Sequence, residues 1–403
     1  MLNYPSDWKV KKLGECCKII RGASPRPIET YITHNVDGIN WIKISDAPKY
    51  GKYITYTEEK ITQSGAAHSV TVKVGDLILS NSMSFGRPYI VKISGCIHDG
   101  WLRLYDYDNI DKDYLCYVLS SKEVYKQYIT FAAGSGVQNL NKNVVKNVTL
   151  PLPPLAEQQA IADTLMAFDT HITNLAALID KKKAIRDGAL DDLMSGRTRL
   201  KGFNGKWEVK NLGECVTENL SYGINAPAIP YDRKKPKYIR ITDITEDGKY
   251  DDTAIKSVAY SDCERYMLHY GDIVIARTGA SVGKSYCYDI KDGKLVYAGY
   301  LIKASIDCDK FDPRYIAAQL KTSRYWSWVI SMSMRSGQPG INSQEYSSFL
   351  IPLPPLAEQR AIADTLTALD DEITALEAER EKFIQIRNGA MNDLLTGKVR
   401  LKI

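Results

Sequence analysis

The chain has 403 residues, 44% hydrophobic and 25% charged, with 53 Lys and Arg against 48 Asp and Glu for a formal net charge of +5. That length allows two or three domains with sizeable cores. No apolar run approaches the ~18 residues of a membrane span, and the start, Met1-Leu2-Asn3-Tyr4-Pro5-Ser6-Asp7, lacks the hydrophobic core of a signal peptide. The expectation is therefore a cytoplasmic protein.

Residues 1–149 read as mixed α and β. Short β-branched and aromatic runs at 70–74, 76–80 and 89–93 are punctuated by Gly, Asn and Asp, and 118–130 carries a helical pattern. Residues 150–200 then change character. The proline cluster in Leu152-Pro153-Pro154-Leu155-Ala156-Glu157-Gln158 stops a strand and opens a helix, with Glu157 placed where an acid favours the helix dipole. Ile161, Leu165, Phe168, Ile172, Leu175 and Ile179 follow in 4-3 spacing, the seam of a coiled coil. Gly196 is a natural stop. The helix from Leu155 to Met194 spans roughly 60 Å at 1.5 Å per residue.

Residues 201–350 repeat the mixed plan, with strand-like runs at 272–276 and 295–298 and a helical stretch at 314–331. Residues 351–403 repeat the helix. Leu353-Pro354-Pro355-Leu356-Ala357-Glu358-Gln359 stands 201 positions after its twin, and 150–200 matches 351–401 at 30 of 51 positions without a gap. The second seam is Ile362, Leu366, Leu369, Ile373 and Leu376, with Arg380 intruding and Phe383 restoring the stripe before Gly397. The mixed regions share sparser anchors: Trp8/Trp207, Leu13-Gly14-Glu15-Cys16/Leu212-Gly213-Glu214-Cys215 and Gly75-Asp76/Gly271-Asp272. The architecture is thus α+β: two globular modules, 1–149 and 201–350, alternating with helical segments 150–200 and 351–403 as a pseudo-two-fold repeat. Each helix could pack on its own module, but matched length and seam phase favour mutual pairing as a coiled coil. Gly188 and Gly389, each unfavourable by about 1 kcal/mol relative to Ala inside a helix, suggest close approach or a bend near the far end.

Charge follows the same partition. Residues 1–149 carry 19 basic and 14 acidic side chains and 201–350 carry 21 and 18, whereas both helical segments are slightly acidic. The positive excess belongs to the modules, the weak footprint expected of a nucleic-acid reader, and +5 or +3 on about 150 residues is also ordinary for a soluble domain.

Catalytic signals are weak. The cysteines (Cys16, Cys17, Cys96, Cys116, Cys215, Cys263, Cys287, Cys308) form no C-x-x-C pair, and His34, His68, His98, His171 and His269 do not cluster, so neither a disulfide scaffold nor a metal site is expected. Gly283-Lys284-Ser285 ends like a phosphate-binding loop, but Thr278 stands where the first glycine is required and the following residues read as strand. A nucleotide-binding or modification enzyme built on that loop, and a coiled-coil adaptor that reads no DNA, are the alternative readings. No catalytic residue is assigned.

Two divergent modules alternating with near-identical helices that open with Leu-Pro-Pro-Leu-Ala-Glu-Gln resemble the specificity (S) subunit of type I restriction–modification enzymes, over essentially the whole chain. The Trp-x-x-x-x-Leu-Gly-Glu openings, the Gly-Asp-hydrophobic strands and the segments near 134 and 335 carry the likeness. It implies that each module is a target recognition domain reading one half of a bipartite site in double-stranded DNA. It also implies that the helices pair as an antiparallel coiled coil, set the half-site spacing and dock two methyltransferase (M) subunits, the outward helix faces and residues 156–163 and 357–364 being the expected surfaces. No cofactor is expected in this chain: S-adenosylmethionine belongs to the methyltransferase, and ATP and Mg to the restriction (R) subunits. Base-edge and phosphate contacts call for Arg, Lys, Gln and Asn. The candidates are Arg26, Arg87, Gln138, Asn139 and Lys142 in the first module and Arg277, Lys284, Arg335, Gln338 and Asn342 in the second. Differing modules imply an asymmetric target, its halves about one helical turn of DNA apart, near 34–36 Å.

Overall fold

The computed structural model describes residues 4–48, 51–81, 86–132, 140–334 and 340–402. The chain divides into two compact units, one formed by Met1–Ala176 with Ala378–Ile403 and the other by Ala177–Glu377. The four sequence segments cut across these units, because each long helix contributes its beginning to one and its end to the other.

In the first unit, Lys9–Lys12 pairs antiparallel with Thr149–Leu152 and so closes the module at its base. Between them lie two five-stranded sheets. One runs in the order Lys18–Arg21, Trp101–Tyr105, Leu77–Ser80, Pro88–Val91, Tyr53–Ile54; the other runs Ile32–Thr33, Glu59–Ile61, Ile39–Ile42, Gly95–Ile97, Val70–Val72. The second unit repeats this plan with four strands per sheet: Ser221–Tyr222, Leu301–Ser305, Asp272–Ala276, Ser285–Cys287, and Ala228–Pro230, Lys256–Val258, Lys237–Ile239, Leu295–Tyr297. Glu208–Asn211 and Leu350–Leu353 form its basal pair. The fold is α+β, with the strand runs near their expected places. The helical stretches differ: 118–130 is the end of Lys112–Leu119 plus Lys122–Ala132, and 314–331 is Pro313–Gln319 plus Ser323–Ser333. Side-chain caps cause both breaks. Ser121 Oγ accepts from the Val124 amide and Thr322 Oγ1 from the Tyr325 amide, each starting a new helix.

The long helices run Leu155–Ser195 and Leu356–Leu395, each followed by a glycine in the left-handed region, Gly196 at φ 72° and Gly397 at φ 70°. Within each unit their segments pair antiparallel. In the first, Asp169 meets Arg387 at 3.1 Å and the His171 ring lies 4.2 Å from that of Phe383. In the second, Asp370 meets Arg186 at 3.3 Å and Lys182 meets Glu372 at 2.6 Å. Asp169–Arg387 and Asp370–Arg186 are the same contact under the 201-residue offset.

The seam plays two roles. Ile161 and Leu165 join a module core with Met391, Leu394 and Leu395 from the other helix, and Ile362 and Leu366 do likewise with Leu190, Leu193 and Met194. Further along, Leu175, Ile179 and Ile373 are buried, while Phe168, Ile172, Leu369 and Leu376 are half-buried. Packing on the module and pairing with the other helix therefore both occur, at successive turns of one stripe. The expectation of close approach at Gly188 and Gly389 does not hold, since a Cβ on either would meet nothing within 4 Å. Both helices continue through these glycines, which lie on exposed faces.

Buried polar contacts lock each helix start to its module. Gln158 accepts from the Asp111 amide at 2.8 Å and Gln359 from the Asp312 amide at 3.0 Å. Glu157 and Glu358, 1% and 0% exposed, receive the guanidinium groups of Arg400 and Arg199. Arg400 lies over Trp8 and Arg199 over Trp207, at 5.6 and 5.5 Å.

Candidate nucleic-acid interface

In the second module the ends of the antiparallel strands frame a cleft, and the first module repeats the backbone connections that build it. In the second module, the Arg277 amide donates to Tyr300 O at 3.0 Å, and Arg277 O accepts from the Ile341 amide at 2.9 Å. In the first, the Asn81 amide donates to Gly100 O at 2.9 Å, and Asn81 O accepts from the Leu140 amide at 3.0 Å. The side chains also aim at one place, Arg277 Nε donating to Gly299 O at 3.2 Å and Asn81 Nδ2 to Asp99 O at 2.9 Å. Gly223 lines the second module's cleft and Gly22 is its counterpart in the first, and a Cβ would lie 2.3 Å from Tyr297 O or 2.1 Å from His98 O. Only glycine allows the strands to cross that closely.

On this shared frame the chemistry differs. The second module's cleft, about 440 Å³, is lined by Tyr222, Gly223, Asn225, Arg277, Gly299 and Tyr300, with no acid in its lining among the described residues. The Arg277 guanidinium sits 5.1 Å from the Tyr222 ring and 5.8 Å from the Tyr300 ring, and both tyrosines are exposed. In the first module, Arg21 occupies the place of Tyr222. Its Nε donates to Asp99 O at 2.8 Å and its Nη2 lies 3.5 Å from the Asp99 carboxylate, which also accepts from Ser24 Oγ.

The candidate residues fall unevenly around this frame. Arg277 lines the second module's cleft, and Asn342 follows the Ile341 amide bonded to Arg277 O; Asn342 caps its own short helix by accepting from the Glu345 amide at 3.0 Å. Lys284 faces elsewhere. It pairs with Glu246 at 2.6 Å and lines a separate cavity with Arg186, Lys321, Asp187, Asp191 and Asp247. The turn at Gly279–Ser281 leads into strand Ser285–Cys287, so the Gly283-Lys284-Ser285 segment opens no helix and forms no phosphate-binding loop. In the first module, Arg26 is exposed just beyond the Lys18–Arg21 strand and Lys142 is exposed at the start of Lys142–Lys146. Arg87 is half-buried, its Nη2 donating to Gly51 O at 2.9 Å. Gln138, Asn139, Arg335 and Gln338 lie outside the described residues.

Reading by residue type missed Arg21, Asp99, Tyr222 and Tyr300. The pairing of Arg21-Gly22 with Tyr222-Gly223 at the offset of 201 was the available signal. Among the described residues no helix is long and apolar enough to cross a membrane, and no three His, Cys, Asp or Glu side chains gather to hold a metal ion. The eight cysteines are unpaired, five buried and three half-buried.

A profile described as type I restriction modification DNA specificity domain matches twice, over residues 5–182 and 204–385. The chain belongs to this family. The type I restriction enzyme MjaVIII specificity subunit of Methanocaldococcus jannaschii is 25% identical over 437 residues, an alignment covering all of this chain and 95% of that one. The EcoKI specificity subunit of Escherichia coli is 26% identical over 259 residues, 60% of this chain and 55% of that one. Among solved structures, the type I restriction–modification S subunit of M. genitalium matches with a TM-score of 0.59 at 18% identity, covering 100% of this chain and 98% of that one. A chain from a study of complex assembly and conformational transition of the type I R-M system matches with a TM-score of 0.60 at 17% identity, covering 98% and 100%. These two likenesses establish the specificity-subunit fold. Both profile matches begin in a module and run into a long helix, so the family's repeating unit is the module with its helix.

Proposed function

We propose that this chain is the DNA sequence-specificity subunit of a type I restriction–modification system, each module reading one half of an asymmetric bipartite site. The observation that carries this reading is the repeated backbone frame, bearing two different sets of side chains, in a chain matched twice by the specificity-domain profile. The chain supplies recognition, and methyl transfer and cleavage belong to partner subunits. The alternatives have less support. The nucleotide loop lacks its geometry, and an adaptor has no need of two matched frames with different side chains.

Two methyltransferase subunits are proposed to dock on the equivalent helix starts. Glu157, Gln158, Glu358 and Gln359 are buried, so much of the repetition between 156–163 and 357–364 serves the helix–module lock. The face left for a partner comprises Ala156, Gln159 and Asp163, and Ala357, Arg360 and Asp364 in the other copy.

Selection from a randomised duplex library, with the chain and its methyltransferase together, tests the reading. A bipartite motif with unlike halves is expected, and replacing 1–149 by another module should change one half only. Absence of any enriched bipartite sequence would sink it. Native mass spectrometry should find two methyltransferase chains per specificity chain, and a single one even in excess overturns the paired docking.

A further inference from the structure

Resting on that reading, we infer that Arg277 is the specificity-determining residue for one guanine in the half-site read by residues 201–350, with Tyr222 and Tyr300 as the walls that orient it. The guanidinium is already positioned. Its Nε is spent on Gly299 O, and its plane is bracketed by two rings at 5.1 and 5.8 Å. Among the described residues, neither Nη has a carboxylate or carbonyl partner, so two donors point into a cleft of about 440 Å³ with no acid in its lining. A planar fork with both outer donors open matches the O6 and N7 acceptors that guanine presents in the major groove, the commonest specific arginine contact with DNA. Aromatic walls suit a flat base edge, whereas lysines and arginines on an open rim suffice for phosphate.

The first module supports the assignment by contrast. On the same frame, Asn81 fills the Arg277 position and is 4% exposed, its amide used on Asp99 O. The cation there is Arg21, paired with Asp99. Positions 21, 81, 99 and 100 of one module and 222, 277, 299 and 300 of the other thus form one variable quartet, and different quartets give different halves of the target.

The test is library selection and competition binding with the full chain and its methyltransferase, comparing wild type, Arg277→Ala, Arg277→Lys and Tyr300→Ala. Arg277→Ala should erase the preference for guanine at one position of one half-site, with roughly 5- to 150-fold weaker binding of the best site, and leave the other half-site unchanged. Arg277→Lys should recover little, and Tyr300→Ala, at an exposed ring, should soften the same position. Equal weakening on all sequences with every preference retained makes Arg277 a phosphate contact and overturns the inference, as does an unchanged motif. If the wild type enriches no sequence, the DNA reading itself falls.

Discussion

Arg400 and Glu157 lie 243 positions apart and meet in a two-point pair, with Nη2 2.7 Å from Oε2 and Nε against Oε1. The Trp8 indole adds a third contact to that carboxylate at 3.2 Å. Their offset twins, Arg199 and Glu358, make the same fork at 2.6 and 2.7 Å. One device therefore closes both units, although in one it joins the chain's tail to its first helix.

Glu157 is 1% exposed, whereas Asp7, which shares Arg400, is open to solvent. A carboxylate left buried without its cation is far worse than a surface pair lost. Arg400→Ala should lower the melting midpoint by several degrees, and Asp7→Asn should move it little. Equal effects in calorimetry would mean that Glu157 draws nothing from the arginine.

The two roles of the seam predict a gradient. Leu165 is 0% exposed within a module core, so Leu165→Ala should destabilise by about 2–5 kcal/mol. Half-buried Leu376, on the stretch where helix meets helix, should lose on the order of 1 kcal/mol as alanine. Chemical denaturation compares them, and reversal of that order would place the stabilising core in the coil.

Gly188 and Gly389 sit inside helices with open space where a Cβ would stand. Gly188→Ala and Gly389→Ala should each stabilise the isolated chain by about 0.5–1 kcal/mol through helix propensity. Loss of stability on denaturation would reveal a neighbour at those faces.

His98 is half-buried beside Trp41, and its Nε2 accepts from the Ile44 amide at 3.2 Å. Burial, against the pull of Asp99, lowers its pKa below the ordinary histidine value. The folded state then binds fewer protons than the unfolded one, so stability is full above roughly pH 6.5 and falls as pH drops from there toward the lowered folded value. Ala298 holds the equivalent place in the second module. His98→Ala should flatten the stability–pH slope below pH ~6.5; an unchanged slope would exonerate His98.

Periodicity made the helices legible, because the 4-3 stripe from Ile161 to Ile179 is a local pattern that the fold preserves. The breaks after Leu119 and Gln319 were hidden because apolar spacing continues across them, while single hydroxyls on Ser121 and Thr322 decide where a helix restarts. Glu157 read as a dipole partner; nothing near it in the chain announces Arg400. The matched frames were least legible. Arg277 stands out by type, but its two tyrosines come from 55 positions before it and 23 after, and Arg21 gains its meaning from a carbonyl at 99.

The unequal makeup of the two units bears on how the chain is made. Ala177–Glu377 is one continuous stretch, so all of its core has been synthesised while the last residues are still being added. The first unit draws Met391, Leu394 and Leu395 into its core and cannot finish until the tail emerges. The core around Ile161 and Leu165 is thus closed by residues that follow the whole of the second unit in the chain, and it is complete only once they have been made.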